Sequence, residues 1–240
     1  MNKAIDIHDF SYSYDDGTVA LSGVSVAINH GQKVVLVGPN GAGKRTLLLA
    51  MSGFIGGRGS VNVDGIEVKG KNTKRLRKII CSCLEDANDQ LFMPTLFDDV
   101  AFGPLNMGLA PAEVKKAVER ALKTVGLKQM ANKAPHHLSA GQKRAAALAT
   151  VLSMEPKIIT FDEPDGSLDP RNRNRLVEIL RGLKQTLVIA TCNMNFAARV
   201  ADRAIVIDAG VVAADGKVET ILSDRQLMDE HGLEVADVFC

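Results

Sequence analysis

The 240-residue chain contains no apolar run of 18 residues, so no membrane-spanning helix is expected. It also lacks a charged-then-apolar leader after Met1, which argues against a signal peptide. An excess of charge is missing too: 29 Lys and Arg stand against 28 Asp and Glu, a formal net charge of +1. No global field therefore favours nucleic acid or an anionic membrane surface as a partner. Any link to a membrane is expected to run through another protein, with the chain cytoplasmic and soluble when isolated. Cysteine is sparse. Cys81, Cys83, Cys192 and Cys240 show no C-x-x-C spacing, and disulfides are not expected in that compartment. Cys81 and Cys83 alternate along KIICSCL and read as small core residues, with a metal or redox role as the alternative. Repeats and low-complexity segments are also absent. The 46% hydrophobic composition is enough for one compact unit, with room for an inserted subdomain.

One further absence carries chemistry. The segment GPNGAGKRT, Gly38 to Thr46, meets the phosphate-loop pattern G-x-x-x-x-G-K-[ST] at Gly38, Gly43 and Lys44, but its last position is Arg45 where a metal-binding hydroxyl is required. Thr46 comes one residue too late. The surrounding residues still predict an anion site: KVVLV reads as a buried strand before the loop and TLLLAM as a helix after it. Glycines at 38, 41 and 43 let successive N–H groups turn inward, and the helix N-terminus adds its positive end. Pro39, Asn40 and Ala42 complete the cradle, with Lys44 reaching for the β and γ phosphates of a nucleotide.

Pattern along the rest of the chain predicts an α/β fold. Alternating strands at Ala4 to Phe10 and Leu21 to Ile28 suggest an N-terminal antiparallel β layer, and Asp64-Gly65 turns a hairpin between Val61 and Val68. A strand is expected over Lys78 to Leu84. Helical spacing follows in PAEVKKAVERALKTVGL and again from Ala140 to Met154. Strand and helix alternate once more from Lys157: KIITFDEP, a helix to Gly182, the strand Thr186 to Thr191, a short helix, and the strand Arg203 to Asp208. The tail after Leu222 is expected to be helical and peripheral. This order predicts a phosphate-loop NTPase core with a mainly parallel sheet at 1–84 and 157–240, and an inserted helical subdomain at 85–156.

Asp162 and Glu163 fall at the carboxyl end of a strand, where open parallel sheets bind ligands. In a phosphate-loop enzyme the first acid holds magnesium and the second polarises the attacking water. Between loop and acids, LSAGQKRAAALA places Ser139, Gly141 and Gln142 at a helix head: an ordinary cap, or a second anion site that closes on a nucleotide held by another subunit.

These motifs, in this order, closely resemble those of the ATP-binding subunit of ABC transporters over essentially the whole chain. In that resemblance 38–46 is Walker A, 138–142 the signature motif, 158–163 Walker B and Ser167-Leu168-Asp169 the D-loop, while Tyr14 matches the aromatic that stacks on adenine. NDQLFMPTLFDDVAFGP, together with GQKRAAALATVLSMEP and VVAADG, is similar to the energy-coupling-factor group, which imports cobalt, nickel and vitamins. The resemblance implies ATP and Mg2+ as cofactors and a second ABC ATPase subunit, in a homodimer or heterodimer. It also implies a transmembrane T component and a substrate-binding S component as partners, and a peripheral position on the cytoplasmic face of the membrane.

The departures cluster on one side of the nucleotide. Glu85 aligns with the Q-loop glutamine, Cys192 with the switch histidine, and Asn193 with the aspartate after it; Ala140 replaces a glycine, and Asp165 follows Asp-Glu-Pro where Thr or Ser is usual. Catalytic positions are then Glu163, Glu85 and Cys192, and metal contacts Asp162 and Glu85. Arg45 and Glu85 are opposite in charge and are expected to pair across the metal position. Alternatively Arg45 bridges Asp162 or Glu163, or turns to solvent while Thr46 or water serves the metal. The thiol is a poor substitute for imidazole, so weak hydrolysis at this chain's own site is expected. An inactive regulatory partner and a non-transport ABC ATPase are the alternatives.

Overall fold

The computed structural model describes residues 3–166 and 168–239, apart from the side chains of Thr73 and Phe239. Ser167 and Cys240, both weighed above, lie outside the described residues.

The chain runs β1 (Lys3–Ser13), β2 (Val19–Asn29), β3 (Lys33–Val37), α1 (Lys44–Met51), β4 (Arg58–Val63), β5 (Ile66–Glu67), α2 (Thr73–Leu76) and β6 (Ile80–Cys83). Helices α3 (Leu96–Asn106), α4 (Pro111–Thr124) and α5 (Ala140–Leu152) follow. The alternating part is β7 (Ile158–Asp162), α6 (Pro170–Gly182), β8 (Thr186–Ala190), α7 (Met194–Val200) and β9 (Arg203–Asp208). Strand β10 (Val211–Lys217) and helices α8 (Val218–Ser223) and α9 (Arg225–Glu230) close the order.

The strands form two sheets. The antiparallel one has the order β2-β1-β4-β5, and the other β10-β9-β3-β8-β7-β6. From β9 to β6 every pairing is parallel; β10 joins β9 antiparallel and makes the edge. The continuous apolar runs KVVLV, IITFD and TLVIA follow from this arrangement, because a parallel sheet is covered on both faces. Alternate side chains divide accordingly. Val34, Leu36, Ile158, Val188 and Ile205 join β1, β2 and α1 in one apolar cluster. Val35, Val37, Phe161, Ile189 and Val206 join the helices in the other.

Helix α3 has no counterpart among the predicted elements, and its Gly103 and Pro104 explain why. A proline inside a helix deprives the carbonyl four residues earlier of its N–H donor. Here that carbonyl belongs to Val100, and the Ser153 hydroxyl at the end of α5 donates to it at 2.8 Å. A side chain at Gly103 would run into Met154, with its Cβ 2.5 Å from the sulfur, so the glycine sets how closely α3 meets the end of α5. The start of α3 is held locally by the Thr95 hydroxyl, which accepts from the Asp98 amide and donates to the Asp98 carboxylate at 2.6 Å. The tail differs from its expectation as well. It is partly helical, but Met228 and Ala236 are fully buried in the larger core cluster rather than peripheral.

Candidate functional site

Strand β3 delivers Gly38 to the floor of the candidate site. A Cβ there would sit 1.9 Å from the Ile207 carbonyl oxygen, so only glycine lets the loop pass over β9. Gly43, at φ 105°, is the residue before α1, and a Cβ on it would meet the Ala20 carbonyl at 2.6 Å. The antiparallel layer therefore braces the loop from the other side. Lys44 is only 8% exposed, and its ammonium donates to the Gly38 carbonyl at 2.7 Å and the Pro39 carbonyl at 3.0 Å. Thr46 is buried as well. Its hydroxyl is 2.9 Å from the phenol of Tyr14, whose ring stands edge-on to Tyr12.

Arg45 resolves the alternatives left open by sequence. Nη1 lies 3.1 Å from Glu85 Oε2, and Nε lies 3.1 Å from Asp162 Oδ2, so one guanidinium bridges both acids. Neighbouring strands present them: β6 and β7 are parallel with Cys83 opposite Phe161, and each acid lies just past that pair. Burial is the main reason that the Asp162 carboxyl stands above its ordinary range; Glu85 and Glu163 push the same way, and Arg45 and Lys44 oppose them. Glu163, at φ 42°, accepts the Cys192 amide at 3.1 Å.

The Cys192 sulfur accepts from Lys44 Nζ at 3.3 Å and reaches Asn40 Oδ1 at the same distance. Partial burial, and next the Glu163 carboxylate, push its pKa up, which keeps the thiol neutral. Asn193 and Asp165, two departures from the family pattern, meet in the structure. The Asn193 amide donates to Asp165 Oδ2 at 2.8 Å, and its oxygen caps α7 by accepting from the Phe196 amide. Thr191 donates to the other Asp165 oxygen at 2.9 Å. Relative to the family pattern the carboxylate of this pair stands at 165 and not at 193, and Asn193 and Asp165 link the two loops.

Ser139 and Gln142 of the signature motif line a different cleft. Ser139 caps α5 by accepting from the Gln142 amide at 3.3 Å, and Gln142 returns a bond to the Ser139 amide at 3.0 Å. Asp169, Asn172 and Arg175 line the same cleft. Gly141 is required there, because the Asn172 side chain occupies the place of a Cβ. Arg45, Glu85 and Glu163 line a different groove of about 650 Å³ with Ala140 and Lys143.

Comparison with known proteins fits this geometry. A family model described as ABC transporter matches residues 21–166. The energy-coupling factor transporter ATP-binding protein EcfA of Carboxydothermus hydrogenoformans is 42% identical over 238 residues, 98% of this chain and 88% of that protein. The chain belongs to the ABC transporter ATP-binding family. EcfA of Methanocaldococcus jannaschii is 37% identical over 240 residues, covering 98% of this ABC ATPase and 86% of the relative. Among solved structures, CbiO1 of Clostridium perfringens, part of the ABC transporter complex CbiONQ, superposes with a TM-score of 0.87 at 31% identity over 96% of this chain and 94% of that one. The relatives make this an ABC ATPase of the energy-coupling-factor type, in the class of ATP hydrolases.

An ABC ATPase implies ATP and, by family, magnesium. The glycine cradle, the helix start and Lys44 fit a polyphosphate. The metal side does not fit a divalent ion: Glu85 accepts from Arg45 and Asp162 is ion-paired with the same guanidinium, and the Thr46 hydroxyl is turned to Tyr14. Two participants escaped the sequence reading. Buried Arg144 of α5 donates to the Leu84 carbonyl at 2.7 Å and approaches the Glu163 carbonyl, tying the signature helix to both acid-bearing loops. Gln90 joins the Leu84 amide to Ala147 and Thr150 of α5. A second cation, next after Lys143 and directly before the small apolar run AAALA, was the available signal for Arg144.

Proposed function

We propose that this chain is the ATP-binding subunit of an energy-coupling-factor importer for a cobalt or nickel ion or a vitamin. In this reading it binds nucleotide at its own loop but hydrolyses it poorly, and works in a heterodimer with a second ABC ATPase. The observation that carries the reading is the Arg45 bridge to Glu85 and Asp162 beside a thiol at Cys192. Gly38, Pro39, Asn40, Gly41, Ala42, Gly43 and Lys44 would hold the phosphates, Thr46 the loop's far end and Tyr14 the base. ATP supplies a phosphoanhydride whose cleavage drives the transport cycle. Glu163 is the residue that would orient water, and Cys192 offers that water and the phosphate a weak donor, so transition-state positioning suffers more than binding.

Ser139, Gly141 and Gln142 keep their chemistry and would complete the nucleotide site of the partner. The dimer of the ATP-binding cassette MJ0796 with ADP and Pi, 26% identical with a TM-score of 0.80 over 89% of this chain and 98% of that one, supports a two-subunit reading. Residues 85–156 would form the helical subdomain that meets the membrane T component, with a separate S component choosing the substrate. None of the described helices is long and apolar enough to cross a membrane; in this reading the chain sits peripherally at the cytoplasmic face.

The test is ATPase activity of the complex reconstituted with T component and partner ATPase. Glu163→Gln in this chain should leave most of the activity, whereas Gly141→Asp here, or the matching glutamate change in the partner, should remove it. Loss of activity with Glu163→Gln here would show instead that this chain's own site does the hydrolysis. Full activity with Gly141→Asp would favour the inactive regulatory alternative.

A further inference from the structure

We propose that the Arg45 guanidinium is a tethered cation standing where a divalent ion would stand, so that this chain binds nucleotide polyphosphates without a metal. The inference rests on the nucleotide-binding reading above. Its geometry is the two-sided bridge: different edges of one guanidinium meet Glu85 and Asp162, each at 3.1 Å. These acids come from the ends of adjacent strands β6 and β7, and Arg45 is the second residue of α1, directly after the lysine of the phosphate loop. The cation is therefore held between the acidic strand ends and the phosphate cradle.

Charge gives the reason. Arg45 and Glu85 cancel, so beside Lys44, Asp162 and Glu163 the site carries formal net charge −1, the same as with the serine and glutamine of the family pattern. Glu85 alone would repel a phosphate; its pairing with Arg45 removes that repulsion. A guanidinium does not lose its proton in proteins, so it cannot become neutral to admit a metal. A divalent ion would have to expel it from both carboxylates. Expulsion is sterically open, since the Arg45 side chain is 65% exposed and that of Glu85 52%, and for that reason the competition can be measured. The guanidinium has five N–H donors, of which Glu85 takes one from Nη1, while Asp162 is held by charge beside Nε at 3.1 Å. The remaining edge suits phosphate oxygens, which arginine binds through paired donors.

Two measurements on the purified full chain test this. In the first, a fluorescent ATP analogue is titrated in EDTA and in excess Mg2+. The wild-type affinity should agree within about twofold, whereas the double variant Arg45→Ser with Glu85→Gln should gain at least tenfold from Mg2+. In the second, Mn2+ binding without nucleotide is followed by electron paramagnetic resonance. Arg45→Ala, which leaves Glu85 and Asp162 in place, should bind Mn2+ at least tenfold more tightly than wild type, with circular dichroism confirming the fold. A tenfold gain of wild-type affinity from Mg2+ would overturn metal-free binding. Mn2+ bound equally by wild type and Arg45→Ala would overturn the assignment of Arg45 itself. Absence of nucleotide binding in both buffers would overturn the nucleotide reading and metal-free binding with it, while the Mn2+ comparison would still decide what Arg45 does.

Discussion

Asn193→Asp should destabilise the protein in a pH-dependent way, and Asp165→Thr should rescue it. Asp165 is 4% exposed, and its nearest cationic group, Arg173 Nε, is 3.9 Å away. Aspartate at 193 can still cap α7, but it replaces a donor 2.8 Å from Asp165 Oδ2 with a second carboxylate. At an effective dielectric of about 20, two unit charges 2.8 Å apart repel by about 6 kcal/mol. The pair escapes part of this by taking up a proton. Protonation of the pair caps the cost below that repulsion, so the expected loss is about 3–4 kcal/mol at pH 7 and smaller at pH 5. The sign follows because the folded variant binds a proton that the unfolded chain has released, so stability falls as pH rises. Asp165→Thr alone strands the Asn193 amide and should cost about 1–3 kcal/mol. In the double variant a threonine hydroxyl donates to an aspartate, and stability should return to within about 1 kcal/mol of wild type. Urea denaturation of the four proteins at both pH values measures the cycle. Single effects that add within about 0.5 kcal/mol, or an equal Asn193→Asp cost at pH 5 and pH 7, would refute the coupling of the two residues.

Burial pushes the Asp99 carboxyl up although it accepts the Phe92 and Met93 amides, so wild-type stability should fall as pH climbs above about 4, and Asp99→Asn should flatten that slope in urea midpoints. Burial also pushes the Cys81 and Cys83 thiols up to about 11. At pH 8 roughly one in a thousand of these thiols is ionised, so a thiol-specific chromogenic reagent should modify exposed Cys192 at least about a hundredfold sooner than either of them in a Cys240→Ser background. Tyr14→Phe deletes the bond to Thr46 but keeps the ring, and should change ATP affinity less than about threefold, whereas Tyr14→Ala should weaken it about tenfold by equilibrium titration. Equal effects of the two changes would remove Tyr14 from the base-binding role.

Much of this protein was legible in sequence because the relevant physics is local. A β-branched run, a glycine loop and an apolar helix start predict strand, anion cradle and helix without reference to the rest of the chain. The strand runs of the parallel sheet were visible for the same reason, since each is largely apolar. Helix α3 was not legible: its proline is tolerated only because Ser153, far along the chain, supplies the missing donor. Strand β10 was missed because an exposed edge strand lacks the continuous apolar run of its neighbours.

At the site, sequence by itself determined which residue types depart from the family pattern, and that Arg45 and Glu85 have opposite charge. Only the tertiary structure decided where the arginine goes. The parallel register of β6 and β7 sets Glu85 beside Asp162, and the loop over β9 aims α1 at both. Likewise the identity of residues 165 and 193 was plain in sequence, but their pairing became visible only where folding brings two distant loops within hydrogen-bond distance. Hydrogen bonds and ion pairs depend on separations of about 3 Å, which residue type and spacing do not specify across long stretches of chain.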